Sequence, residues 1–208
     1  MTKDIANIFK NALQGYKQSG LISHLEGLVR VFEYNTGNDE KPKKIAFPVD
    51  CQEPENCKEC EGLMICVPEK SKKCLVYFEG GQSRETAMLE GATKYETVLS
   101  LICWYNLGYF EKQEFLQTKM ISVMSEVIKK TSARNTAARP IAFVNPEIVS
   151  VTDSDSNIFA KYSYNDTRSN FLGCKYGAFK IEFKIKFITY EDQNCIDDIL
   201  GRSNGNCQ

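Results

Sequence analysis

The sequence predicts an α+β fold: a mostly antiparallel sheet packed by an N-terminal helix and one long central helix, with a cysteine-rich hairpin insertion. Three observations carry this. The stretch "YGAFKIEFKIKFIT" sets Phe179, Ile181, Phe183, Ile185 and Phe187 at every second position, with Lys180, Glu182, Lys184 and Lys186 between them. A period of two is that of a strand with one buried face. Ile5, Ile8, Phe9, Ala12, Leu13 and Tyr16 instead recur at the spacing of one helix face. With 208 residues, 42% hydrophobic and 25% charged, the chain has the composition of a globular protein with a real core. Residues 1–190 are expected to form one domain with an insertion at 50–75, followed by a polar tail at 191–208.

In chain order, the first helix has Thr2 as its expected cap and Asp4 at the positive end of its dipole. "GLVRVFEYN" alternates and reads as a strand, and the polar turn "NTGNDEKPKK" separates it from a second strand, "KIAFPVD". Pro48 places the end of that strand at an edge or a bend. After the acidic, cysteine-rich "DCQEPENCKECE", the segments "LMICVP" and "CLVYFEGG" read as a strand pair around "EKSKK". "SRETAMLEGATKY" fits either helix or strand. "ETVLSLICWYNLG" is dense in β-branched and aromatic residues, which favours a central strand covered on both faces over a buried helix.

"EKQEFLQTKMISVMSEVIKKT" reads as the long helix, with Phe115, the Lys119 stem, Met120, Val123, Met124 and Val127 along its buried stripe. Lys129 and Lys130 suit its C-terminal end. "IAFVNPEIVSV" and "IFAKYSY" read as further strands, broken by Pro146 and "TDSDSN", and the alternating stretch closes the sheet. Its apolar face requires cover, since burying each such side chain contributes roughly 1.5–3 kcal/mol.

Charge and composition narrow the function classes. The net charge of -1 gives no global field to recruit nucleic acid or a membrane surface. No run approaches the roughly 18 apolar residues of a membrane helix. "MTKDIANIFKNALQGY" lacks the basic start and continuous apolar core of a signal peptide. The chain is therefore expected to remain in a reducing cytoplasm, and its odd count of nine cysteines argues against a secreted disulfide framework.

Four cysteines form the sharpest local motif. Cys57 and Cys60 stand in a Cys-x2-Cys turn, flanked by Cys51 and Cys66, with Cys74 further on. Such a turn spaces two thiolates for one tetrahedral zinc, and Cys51 with Cys66, or Cys74, would complete the set. Set against that are the missing second knuckle and the acidic neighbours Glu53, Glu55, Glu59 and Glu61, which oppose thiolate formation. The leading reading is free thiols at a hairpin tip and no cofactor.

His24 is the single histidine, and no nucleophile motif accompanies it, so a strand-end role is favoured over a general base. "FEGGQSRET" lacks the lysine of a phosphate-binding loop, and "TDSDSN" lacks the downstream glutamate of a calcium loop. Basic residues gather in two places: Arg134 and Arg139 in "SARNTAARP", and Lys180, Lys184 and Lys186 on the last strand, preceded by Lys175. They read first as solvated surface that discourages wrong edge pairing, and alternatively as a surface meeting acidic protein or DNA phosphates.

The order of elements, from the N-terminal helix through "GLVRVFEYN", "CWYNLG", the long helix and "NPEIVSVTD" to "YGAFKIEFKIKFIT", resembles the small α+β ring proteins at the neck of tailed bacteriophages. These are the tail-terminator and tail-completion class, and the layout is similar to neck proteins of phages of Bacteroidetes hosts, including the crAss-like group. The likeness spans residues 5–189, and the cysteine-rich insertion departs from the simple terminator pattern. The resemblance implies a structural virion protein and no enzyme: a homo-oligomeric ring of sixfold or twelvefold symmetry, assembled in the bacterial cytoplasm. Its implied partners are portal, neck and tail proteins, with DNA passing only transiently through the lumen and no membrane contact. The alternative class is a zinc-stabilised binding or adaptor module.

Overall fold

A computed structural model describes residues 1–36, 43–51, 63–89, 91–111, 114–133, 141–143, 145–153, 156–159, 161–162 and 175–190. Among these residues are two α-helices, α1 (Thr2–Gln18) and α2 (Leu116–Lys130), and ten strands. The strands are β1 (His24–Leu28), β2 (Arg30–Thr36), β3 (Lys43–Cys51), β4 (Leu63–Ile65) and β5 (Cys74–Gly80). They continue with β6 (Arg84–Leu89), β7 (Ala92–Asn106), β8 (Ile141–Phe143), β9 (Glu147–Asp153) and β10 (Tyr176–Tyr190). The expected mixture of helices and a mostly antiparallel sheet is present.

Seven strands make the main sheet, and β2, β3 and β4 make a small second one. Its spine is the antiparallel pair β7 and β10, in register over all 15 residues of each, from Tyr176 opposite Asn106 to Tyr190 opposite Ala92. Each spine strand carries two shorter strands end to end along its outer edge. β5 and β6 pair antiparallel with successive parts of β7, and β9 and β8 do the same on β10. Both interruptions fall at one level. β5 ends opposite Leu99 and β6 begins opposite Glu96, while β8 ends opposite Phe187 and β9 begins opposite Lys184. The rung between them is Thr97 with Ile185. β1 adds the sole parallel pairing among the described residues, against β5.

The alternation read from the last strand sets the layers. Phe179, Ile181, Phe183, Ile185 and Phe187 all lie at 1% exposure or less beneath the helices, with Leu99, Leu101, Cys103 and Tyr105 of β7 beside them. α1 contributes Ile5, Ala6, Ile8, Phe9 and Leu13 to this core, and α2 contributes Met120, Met124 and Ile128. Phe9 is the hub. Its ring lies 4.9 Å from Phe183 edge-on and 5.6 Å from Phe143 in a stack, geometries that aromatic quadrupoles favour.

The strand reading of "ETVLSLICWYNLG" holds because β7 is covered on both faces along its second half. Several expectations do not hold. Thr2 is the first helical residue rather than the cap, and its hydroxyl meets Ser83 at 3.1 Å. Ala12 is exposed on α1, and Ala6 is buried in its place. "GLVRVFEYN" is two strands, not one: the chain leaves the main sheet at Val29, whose amide donates to the Phe78 carbonyl, and enters the small sheet as β2. "LMICVP" and "CLVYFEGG" do not pair with each other, since β4 joins β3 and β5 joins β7.

"IFAKYSY" opens with Ile158 and Phe159 in the 3₁₀ turn Ser156–Phe159, where a strand was expected. α2 begins at Leu116, and Phe115 before it is 67% exposed with a left-handed backbone, φ 56°, instead of joining the buried stripe. The cysteine-rich hairpin tip at 52–62 and the tail at 191–208 lie outside the described residues.

Candidate functional site

The face of the sheet turned away from the helices is divided in two. Towards the Asn106 end of β7, Leu75, Tyr77, Ile102, Trp104 and Ala178 form a second apolar cluster. Trp104 stacks on Tyr176 at 5.4 Å, and Ile158, Phe159 and Tyr162 from the 3₁₀ turn region cover it. Cys66 belongs to this cluster at 1% exposure. Beyond its rim the face becomes polar. Glu96, Val98 and Ser100 of β7 lie beside Lys180, Glu182, Lys184 and Lys186 of β10, since residues of even number on both strands point this way. A groove of about 610 Å³ runs along the boundary, between Lys161 on one side and Gly80, Gly81 and Arg84 on the other.

The lysines found in the sequence are largely neutralised here. Lys180 bonds Glu182 at 3.0 Å, and Lys184 reaches Glu96 on the neighbouring strand at 3.4 Å. Glu182 also accepts from the Ser150 hydroxyl at 2.6 Å. The hydrogen bonds from Ser150 and Lys180 hold its carboxyl below the usual carboxylate range. Glu79 accepts from the Lys161 ammonium and the Tyr162 hydroxyl. Lys186 is exposed. Part-exposed pairs of this kind contribute little stability, about 0–1 kcal/mol each. Their main effect is electrostatic: the row that reads as basic in sequence is a balanced lattice. Glu96 and Glu79 escaped sequence reasoning because they meet these lysines only through cross-strand register and the 3₁₀ turn.

His24 sits at the start of β1 against Ser23. The Ser23 hydroxyl donates to the Cys74 carbonyl at 2.7 Å and accepts from the Cys74 amide at 3.0 Å. Its one proton is thereby committed, so the 3.0 Å contact with His24 Nδ1 has the ring as donor. Burial, then the nearby Lys72 charge, lowers the His24 pKa and so disfavours the charged ring. The pair ties β1 to β5 and leaves no activated hydroxyl.

The cysteines weighed as metal ligands are described only in part. Cys51 ends β3, and Cys57 and Cys60 lie outside the described residues. Cys66 is buried in the cluster on the far side of the sheet from the helices, whereas Cys74 is buried in the helix-side core. Cys66 and Cys74 are therefore on opposite faces of the sheet. Among the described residues no group of three or more His, Cys, Asp or Glu side chains converges as for a metal. Arg134 and Arg139 also lie outside the described residues. Among the described residues, no helix is long and apolar enough to cross a membrane.

Compared with known proteins, the chain matches no family model, and no curated protein matches it in sequence.

Proposed function

We propose that the chain is a structural subunit of a closed ring in the neck of a tailed phage, of the tail-terminator kind, joining the portal region to the tail. One observation carries the reading: the main sheet ends in two unlike borders. β6 lies at one border, with Arg84, Glu85 and Met88 exposed, and Met88 is 73% accessible. β9 lies at the other, with Glu147, Val149, Val151 and Asp153 exposed. Among the described residues no strand pairs with the outer edge of either one. A ring closes through contacts between two different faces of the same subunit, which is what two unlike borders supply. Exposed valines and a methionine at the edges add apolar area to such a contact.

The charge-balanced outer face fits this reading too. A surface in which lysines are paired with glutamates does not grip phosphate, so DNA passing the ring would slide rather than bind. Native mass spectrometry and negative-stain images of the purified chain test the proposal. The expected result is a single closed species of six or twelve copies. A chain that stays monomeric at every concentration, and is missing from particles assembled in its presence, would remove the ring reading.

A further inference from the structure

Cys74 opens β5, and Cys103 lies near the end of β7. The register sets Cys74 opposite Tyr105 and Val76 opposite Cys103, so the two cysteines are diagonal neighbours on the helix-covered face. Their sulfurs are 3.7 Å apart, and both side chains have no solvent exposure. A disulfide bond is about 2.05 Å long, so closure needs an approach of roughly 1.7 Å. Rotation of both side chains with a slight shift of β5 against β7 would provide it.

We propose that Cys74 and Cys103 are a modification site, a dithiol that closes into a cross-strand disulfide when the chain meets a small disulfide oxidant such as oxidised glutathione. One cysteine thiolate attacks the glutathione disulfide, forming a mixed disulfide and releasing one glutathione thiolate. The second cysteine thiolate then displaces the remaining glutathione. One protein S–S bond forms and the glutathione S–S bond breaks. The protein thiols lose two electrons and two protons, which end on two glutathione thiols. The new bond fastens the first strand of the β5–β6 edge to the spine and encloses β6 and most of β7 in a covalent loop.

Burial, reinforced by the contact with Cys74, pushes the Cys103 thiol pKa well up, so the folded sheet holds little thiolate there. The exchange therefore proceeds through transient parting of β5 from β7. It is slow in the resting protein and faster wherever that opening is promoted. This inference does not depend on the ring reading.

The experiment incubates the reduced, folded protein with oxidised glutathione at several urea concentrations below the unfolding transition. Free thiols are then alkylated, and peptides are mapped with and without reduction. A Cys74–Cys103 linked pair is expected, forming faster as urea rises and vanishing on reduction. The linked protein should melt higher than the reduced one by about 5 °C or more. Cys103→Ala should lose both the pair and the shift. Because that variant opens a core cavity, the wild-type map is decisive by itself. Both thiols fully alkylated at every urea concentration, or Cys74 and Cys103 joined to other cysteines, would overturn the proposal.

Discussion

Gly177 and Tyr105 show how tightly single positions are set. They face each other across β10 and β7, and a Cβ on Gly177 would overlap the Tyr105 ring. That ring is 2% exposed, and its hydroxyl donates to Gln117 on α2, so it cannot swing away. Gly177→Ala is expected to destabilise the fold by about 1–3 kcal/mol, read from urea unfolding, by overpacking rather than by any change in backbone preference. The same neighbourhood sets a response to alkali. Burial pushes the Tyr105 phenol well above its ordinary range, and burial with the Cys74 contact does the same to the Cys103 thiol. In the unfolded chain these groups ionise near about pH 10 and 8.5. Above those values the unfolded state binds fewer protons than the folded one, so stability falls as pH rises. The midpoint of urea unfolding, measured on the reduced protein, should decline from about pH 8.5 upwards. Tyr105→Phe should flatten the part above about pH 10. A midpoint constant up to that range would contradict this assignment.

Among the elements, the paired strand interruptions are the unusual feature. A continuous strand on each side of the spine would make a rigid slab. Breaks in both flanks at the Thr97–Ile185 rung instead leave β7 and β10 as the strands that run through that level among the described residues. Asn145, with φ 49°, and Pro146 fall in one break, and Gly80 and Gly81 flank the other. Asn145 tolerates its left-handed backbone, whereas at Gly80 the requirement is close approach, since a Cβ there would meet the Leu99 side chain. At the crease Thr97 is 2% exposed, and its hydroxyl has no hydrogen-bond partner among the described residues. A buried unsatisfied hydroxyl is costly, so Thr97→Val, nearly the same shape, should stabilise by about 1 kcal/mol. Differential scanning calorimetry would register this as a raised melting point, and a lowered one would mean that the hydroxyl has a partner.

At the scale of the whole molecule, stability is graded along the sheet. The halves of β7 and β10 near Cys103 and Phe179 are hydrogen-bonded on both edges and covered on both faces. β6 is paired on one edge among the described residues, and Arg84 to Met88 are exposed. Hydrogen exchange should find amides at 99–105 and 179–183 slower than those of β6 by roughly a thousandfold or more. Uniform rates would mean that the sheet opens as one unit and has no separable hairpin. The proposed ring adds a condition: assembly should slow exchange in β6 and β9 together, because each is one half of a contact between neighbours.

The amino-acid sequence by itself determined the faces. A two-residue period in β10 and a helical period in α1 put Phe183 and Phe9 on the buried faces of their elements whatever the topology, because side-chain direction follows from local backbone geometry. It also marked β7 as central, through a run apolar on both faces. What only the tertiary structure decided is who meets whom. Lys184 reads as part of a basic row until register brings Glu96 from a strand far away in sequence. Phe115 reads as a buried helical residue until the chain is seen to enter α2 one position later in a left-handed turn. Cys74 reads as an alternative ligand for the Cys-x2-Cys turn, and only the sheet reveals Cys103 beside it. Periodicity is a local property, whereas charge balance, helix entry and cysteine partnership depend on contacts between distant segments. Those contacts are fixed when the strands choose their register, under the collective demand of the core.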